Sequence, residues 1–248
     1  MNIYFKESTF GNFCLLEDDL ISNSINMNGY WEAHLFHFYK EFIQPDYTII
    51  DGGANLGFHS VQFAKLAPQG TVYCFEPQPL IFNLLSTNSL INGCSEVIKQ
   101  FRLGLGDSTE QKLKMTPIKE QIFSENCINY GGRGLTEGID GEEEVHLTTI
   151  DNLELTKLDF IKLDVQGFEF YTLKGGENTI KTHLPIMFIE NYPDSEQDQK
   201  VINLIKEWGY KVYRLQTNHN EDCIAVYPDK HIEEINFIET QQLIQWKK

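Results

Sequence analysis

Residues 49–60 read IIDGGANLGFHS, a short apolar run followed by Asp51 and then Gly52, Gly53, Asn55 and Gly57 in close succession. An apolar run closed by a glycine-rich turn is a buried strand handing over to a helix. In open α/β sheets, ligands gather at that carboxyl edge. Glycine adopts positive φ freely, and asparagine is a side chain that tolerates the same geometry, so Asn55 can stand where glycine would turn. A dinucleotide loop would read G-x-G-x-x-G. Here the spacing is Gly53-x-Asn55-x-Gly57, with Asp51 just ahead of it. A pyrophosphate site relies on bare amides at a helix N-terminus, with no carboxylate nearby. Asp51 suits instead a ligand that carries an ammonium group. S-adenosylmethionine has one, together with a sulfonium and no phosphate.

The flanking segments repeat the strand–helix pattern. YTII (47–50) and TVYCFE (71–76) are strands, separated by a helix from His59 to Ala67 that Pro68-Gln69-Gly70 stops. A helix opens on Pro79, runs through Leu80, Leu84, Leu85 and Ile91, and ends at Asn92-Gly93. VIKQFRLGLG (97–106), DFIKLDV (159–165) and PIMFIEN (185–191) supply three more strands. YKVYRLQ (210–216) and CIAVYP (223–228) form a closing hairpin across TNHNED. Ser195-Glu196-Gln197-Asp198 opens a helix with Val201, Leu204, Ile205 and Trp208 on one face and Gly209 as its stop. Upstream, Trp31, Leu35, Phe38 and Phe42 lay one apolar stripe along a helix that ends before Pro45.

This alternation predicts a Rossmann-like α/β domain over residues 28–230, with a mostly parallel seven-stranded sheet and helices on both faces. The stretch of about 108–148 is too long for a crossover. QKLKMTP and EEVHLTTI read as strands around a Gly-rich loop, so an inserted β-element is expected. Residues 1–27, with the runs NFCLLEDD and DDLISNSI, read as a β-hairpin extension. Residues 231–248 read as a helical tail with Ile232, Ile235 and Ile238 in register, packed on the domain or against a second copy in a homodimer.

Acidic residues outnumber basic ones, 36 to 20, for a formal net charge of −16. Nucleic acid calls for clustered positive charge. The terminal Lys247-Lys248 is the longest basic run, so a nucleic-acid partner is not expected. The five cysteines are scattered, odd in number and without a C-x-x-C pair, which suggests neither a disulfide framework nor zinc. With no membrane-length apolar run and no signal peptide, the expectation is a soluble cytoplasmic protein without a membrane partner.

Glu76 closes the second strand, where a carboxylate can accept both ribose hydroxyls of a nucleoside. NAD would use it equally well, so Glu76 indicates a nucleoside without choosing one. Taken in order, GYWE (29–32), IIDGGANLGFHS, VYCFEPQPLIFNLLSTNSLIN (72–92), LGLGD (103–107) and KLDFIKLDVQGFEFYTLKGGE (157–177) resemble the FkbM family of S-adenosylmethionine-dependent methyltransferases, over about residues 28–228. The resemblance implies a class I methyltransferase fold, S-adenosyl-L-methionine as cofactor, and a hydroxyl of a sugar, glycan or small metabolite as acceptor. It also implies that Asp51, Gly52, Gly53, Ala54, Asn55 and Gly57, with His59 and Ser60 behind them, line the methionine end. Glu76 would hold the ribose, Pro77 would shape the adjoining turn, and Gly106-Asp107 would approach the adenine edge. Where the family pattern has D-V-E-G, this chain carries Gln166, which removes a charge and puts a general base at that position in doubt.

Methyl transfer to an alcohol needs in-line geometry and a way to take up the hydroxyl proton. Candidates are Asp164 and Glu190 at the ends of the fourth and fifth strands, with Lys162 on the same strand face as Asp164. Asp164, Glu190 and Asn191 resemble the donors of metal-dependent catechol-type O-methyltransferases and could hold a divalent cation. Alternatively Asp164 or Glu190 acts alone as base, or Asp164 only orients the methionine ammonium or the substrate. Lys162 reads as an ion-pair partner, and Glu169 as a tie between helix start and loop. His59 either touches ligand or caps its turn. Tyr130 and Arg133 either contact substrate or lie in a solvated loop. Two rival functions stay open: a ribose 2′-O nucleic-acid methyltransferase, and a non-catalytic binding module on the same fold.

Overall fold

The computed structural model describes residues 2–124, 127–136, 142–193, 196–216, 222–241 and 244–245. β1 (Ile3–Ser8) and β2 (Gly11–Leu16) pair antiparallel, as expected for a hairpin. DDLISNSI, read with them as strand, is instead α1 (Leu20–Asn28). Asp19 caps it by accepting the Ser22 amide at 2.8 Å, Gly29 ends it at φ 81°, and Ile21 and Ile25 share its buried face. A cap and a four-residue apolar spacing outweigh the mixed local pattern. α2 (Ala33–Phe42) follows and buries Leu35, Phe38 and Phe42.

The alternation then runs β3 (Thr48–Gly52), α3 (Phe58–Leu66), β4 (Thr71–Phe75), α4 (Pro79–Ile91) and β5 (Ile98–Phe101). The third expected strand breaks after Phe101. Its LGLG half becomes β6 (Gly104–Leu105), which leaves the main sheet for a smaller one. The insertion supplies β7 (Lys112–Met115), β8 (Ile122–Ser124), β9 (Cys127–Ile128), β10 (Leu135–Thr136) and β11 (Glu142–Thr148). The small sheet has the order β10-β7-β11-β6. After it come β12 (Phe160–Leu163), α5 (Glu169–Lys174), α6 (Glu177–His183), β13 (Ile186–Glu190), α7 (Glu196–Glu207), β14 (Lys211–Leu215) and β15 (Asp222–Val226). Ser195 and residues 217–221, expected as helix cap and hairpin turn, lie outside the described residues. Among the described residues, the tail is helical over α8 (Ile232–Thr240). β16 (Ile244–Gln245) then pairs with Leu215 and Arg214.

The main sheet has the order β16-β14-β15-β13-β12-β3-β4-β5. It holds the seven strands expected, with β16 added at one edge. β5, β4, β3, β12 and β13 run parallel, and β15 runs antiparallel between β13 and β14. Strand period two sends alternate residues to opposite faces. Ile49, Phe160 and Phe188 pack with α2, α3, α4 and the hairpin, while Ile50, Ile161 and Ile189 pack under α5, α6 and α7. Burying each such side chain stabilises the fold by about 1.5–3 kcal/mol. Both faces being covered, the carboxyl edge of β3, β4, β12 and β13 is left for a site. No helix among the described residues is long and apolar enough to cross a membrane.

Candidate active site

The loop after β3 is fastened on both sides. The amides of Gly53 and Ala54 donate to the Phe75 carbonyl at 3.0 and 2.9 Å, drawing the loop onto the end of β4. On the other side the backbone of Gly53, at φ +74°, presses so close to β12 that a Cβ there would lie 1.8 Å from the Asp164 carbonyl oxygen. Asn55 holds φ 50°, the left-handed geometry its residue type allows, and its side-chain oxygen accepts the Leu56 amide at 2.7 Å. Glu76 completes the loop. Its two carboxyl oxygens accept the amides of Asn55 at 3.1 Å and Gln78 at 2.8 Å.

Glu76 is 3% exposed, and burial pushes its carboxyl up to about 7 against the pull of those amides. It lines a cavity of about 520 Å³ of empty space, measured out to its mouth. Phe75, Pro77 and Gln78 flank Glu76 on one wall, Leu103, Gly104 and Leu105 form another, and Asp164 and Gln166 close the floor. The roof is the insertion, with Gly131, Arg133 and Leu135. Arg133 donates to the Thr116 carbonyl at 3.0 Å and the Gln78 side chain at 3.3 Å, and Gln78 donates to the Tyr130 carbonyl at 2.9 Å. Tyr130 and Arg133 are both buried, so this part of the insertion is a packed wall and not a solvated loop.

A second, smaller cavity of about 280 Å³ lies on the other side of the loop. Ile21, Trp31, Phe58, His59 and Lys162 line it, and it shares Gly53, Asn55 and Asp164 with the first. Beneath the junction lies a buried cluster of charges. Lys162, 4% exposed, places its ammonium 3.6 Å from Asp164. Burial alone would lower its pKa, but the carboxylates of Asp164, Asp51, Glu32 and Glu190 outweigh it and hold the pKa above the lysine value. Lys162 is therefore a fixed cation and no proton acceptor. Glu190 is pushed the other way: burial first, then the neighbouring Asp164, raise its carboxyl well above the usual range. Gln166, at φ 52°, uses one amide nitrogen to donate to Asp164 at 2.6 Å and to Glu190 at 2.9 Å.

Several expected residues stand elsewhere. Asp51 lines neither cavity; it is fully buried, accepts the Ser60 hydroxyl at 2.6 Å, and bears on Lys162, its register partner on β12. Its Oδ1 has no hydrogen-bond partner among the described residues. Gly52 is wedged between Leu163 and Leu105. Gly57 starts α3 at φ 88° against Leu85. Gly106 and Asp107 do not reach the first cavity, because the chain has crossed to β6. Gly106 bonds the Thr148 carbonyl, Asp107 is exposed, and Leu103, Gly104 and Leu105 take the wall instead. Glu169 is the tie it was read to be, accepting the amides of Val165 at 3.0 Å and Gly167 at 3.3 Å.

The cation-holding trio does not form. The Asn191 side chain turns away to donate to Asp198 at 2.7 Å, in a buried group with Arg214. Asp164 already faces the Lys162 ammonium, and the Gln166 amide occupies the space between it and Glu190. These donors do not suit a divalent ion. One residue of the site was missed from the candidate list. Glu32, in the GYWE stretch, holds His59 Nε2 at 3.0 Å and sits at φ 47° before α2. Only its place in that motif could have marked it, because its partner lies 27 residues on.

The comparisons agree with this architecture. The chain is similar to hexuronic acid methyltransferase AglP of Haloferax volcanii, 23% identical over 193 residues that cover 78% of this chain and 75% of that one. It is also similar to 2-O-methyltransferase NoeI of Sinorhizobium fredii, 28% identical over 167 residues that cover 62% and 66%. Among solved structures, methyltransferase FkbM from Methylobacillus flagellatus matches with a TM-score of 0.54 at 19% identity, over 74% of this chain. This chain spans 44% of the solved one, so that likeness speaks for the fold alone. The description "Methyltransferase FkbM domain" fits residues 51–212, from the aspartate before the glycine loop to β14. That match covers more than half of the chain, and the chain is a methyltransferase that belongs to the FkbM family.

Proposed function

We propose that the protein transfers a methyl group from S-adenosylmethionine to a hydroxyl of a sugar, glycan or small metabolite. The observation that carries this reading is the meeting of two cavities at Gly53, Asn55 and Asp164, one along Glu76 and the other along His59 and Lys162. The first is read as the nucleoside's place. The Glu76 carboxylate would take its ribose hydroxyls, the apolar walls of Phe75, Leu103 and Leu105 its base, and the bare backbone at Gly53 its amino-acid part. Asp51 supports that part through Lys162 and the loop, without touching it. When bound, the cofactor supplies an electrophilic methyl on a sulfonium.

Asp164, shared by both cavities, orients either the methionine ammonium or the acceptor. Holding the reacting atoms in line contributes about 7–11 kcal/mol in well-oriented systems. The names of AglP and NoeI, a hexuronic acid and a 2-O-methyltransferase, support an acceptor hydroxyl on a sugar. The formal net charge of −16 weighs against nucleic acid. Mass spectrometry of a glycan and metabolite panel, incubated with isotopically labelled cofactor, tests this. A gain of one labelled methyl is expected on a hydroxyl compound. Transfer to RNA with none to the panel would sink it.

A further inference from the structure

We propose that β1 is a dimer edge, pairing antiparallel with the β1 of a second copy of this chain, Phe5 opposite Phe5, so that the two hairpins join into one continuous sheet. The inference is independent of the methyl-transfer reading, and β1 shares no lining residue with either cavity at the glycine loop. It starts from the way the fold treats the two edges of the hairpin. On β2 the outer edge is closed by two side-chain amides of α4. Asn92 accepts the Asn12 amide at 3.0 Å and donates to the Asn12 carbonyl at 2.6 Å, and Asn88 does the same for Cys14 at 2.7 and 3.2 Å. With Asn12 and Cys14 turned outward, the bonds between the strands fall at Gly11, Phe13 and Leu15, whose register partners are Ser8, Lys6 and Tyr4. The outward residues of β1 are therefore Ile3, Phe5 and Glu7. Among the described residues, their backbone N–H and C=O groups have no hydrogen-bond partner.

An open row of strand donors and acceptors is completed by another strand. The same residues present the outer face of the hairpin, with Ile3 54% and Phe5 61% exposed, whereas Tyr4 on the inner face packs with the core. β1 is itself a strand that fits this edge. Antiparallel pairing sets outward residues opposite outward residues, and centring it on Phe5 brings Ile3 against Glu7 of the other copy and Tyr4 against Lys6. Every outward residue of one β1 then exchanges both bonds with an outward residue of the other. The neighbouring registers are worse. Centring on Lys6 or on Glu7 opposes like charges directly, and centring on Tyr4 leaves Glu7 with no outward partner within β1. In the favoured register the two Phe5 rings meet across a two-fold axis with Ile3 beside them, which covers the exposed apolar face. Charge points to the same surface. Two chains of formal net charge −16 repel each other, and β1 meets its copy with one lysine and one glutamate, Lys6 and Glu7, for no net charge at the contact.

The test uses the full chain and has three readouts. A strand pair of this length is smaller than a standard interface, so sedimentation equilibrium over about 1–300 µM should show a reversible dimer. Monomer throughout that range overturns the proposal. As the dimer fills, amide exchange read by NMR should slow at Ile3, Phe5 and Glu7 and stay as it was at Tyr4 and Lys6, which β2 already holds. A dimer in which those three amides exchange as they do in the monomer has its contact elsewhere, and overturns the pairing. Phe5→Lys and Phe5→Glu each set like charges against each other across the axis, and each should weaken dimerisation about tenfold or more. Mixed in equal amounts, the two variants should form a heterodimer, because residue 5 faces its own counterpart. Phe5 is exposed, so both variants should keep the wild-type circular dichroism and melting temperature. A dimer indifferent to these substitutions, or a mixture of folded variants that stays monomeric, also sinks the proposal.

Discussion

Gly53 and Gly93 hold similar backbone angles, φ +74° and φ +67°, in unlike surroundings. A Cβ on Gly93 would meet nothing within 4 Å, whereas one on Gly53 would strike the Asp164 carbonyl. In urea denaturation Gly93→Ala should therefore cost about 1 kcal/mol, the strain of left-handed geometry alone. Gly53→Ala should cost about 3 kcal/mol or more, because the loop must also pull off β12. Equal losses would mean that the loop is not clamped. Glu169 permits a cleaner test of burial. Loss of solvent, and then the nearby Asp164, push its carboxyl up to about 7 from its ordinary 4.5, against the pull of the loop amides. Between those values the unfolded chain has released its proton and the folded one has not. Stability from this group is thus lost as pH rises from 4.5 through 7. Both loop amides bond the same oxygen, Oε1, so Glu169→Gln can keep them and remove the buried charge. The variant should match wild type below pH 4.5 and exceed it by roughly 1–3 kcal/mol at pH 8, as read from urea midpoints across pH. A gain that does not depend on pH would rule this account out.

At the scale of elements, the fully buried amide among the hairpin's ties to α4 is that of Asn88, beside the part-buried Asn92 that bonds Asn12. Asn88 on α4 accepts the Cys14 amide at 2.7 Å and donates to the carbonyls of Cys14 at 3.2 Å and Leu56 at 2.8 Å. It links β2, α4 and the glycine loop together. Asn88→Leu would leave those backbone groups buried without partners, at about 2–4 kcal/mol. Hydrogen exchange should then quicken in β2 and at Leu56, with α7 unaffected, and protection unchanged in β2 would count against the link. Such long-range ties also explain what sequence could show. The stripe of α2, the Pro79 start and Gly93 stop of α4, and the apolar runs of β3, β12 and β13 are local patterns, and they stand where expected. The error at α1 came from a segment whose cap and apolar spacing were present but weakly marked. The division of β5 from β6, and the two-residue β16, depend on partners far along the chain, β11 and β14, that periodicity does not report.

For the whole molecule, the same contrast governs the site. Loop conformation and strand-end acids were legible because a class I edge repeats them in chain order: Gly53, Asn55 and Glu76 line the cavity along β4, and Asp164 joins it to the smaller one. Side-chain direction was not. Asp51 and Asn191 lie on the expected strand ends yet turn into buried pairings, and Glu32 enters from a helix outside the glycine loop. A ligand at the junction would touch β3, β4, β12 and the insertion together, bridging elements from both faces of the sheet, so its binding should be read by the entire fold. A ligand selective for the native state adds about 2.7 kcal/mol at a hundred times its Kd. For a chain of this length that is about 5–10 °C in melting temperature. S-adenosylhomocysteine should produce such a shift and NAD none, and Glu76→Gln should weaken the former about tenfold or more by removing a charged acceptor. Magnesium or EDTA should move neither the melting temperature nor the turnover. The Lys162 ammonium already neutralises Asp164, and the Gln166 amide fills the gap to Glu190 where a third oxygen donor would have to stand. Turnover abolished by EDTA and restored by magnesium would show that this cluster rearranges around a cation, and Lys162 would then have to leave Asp164.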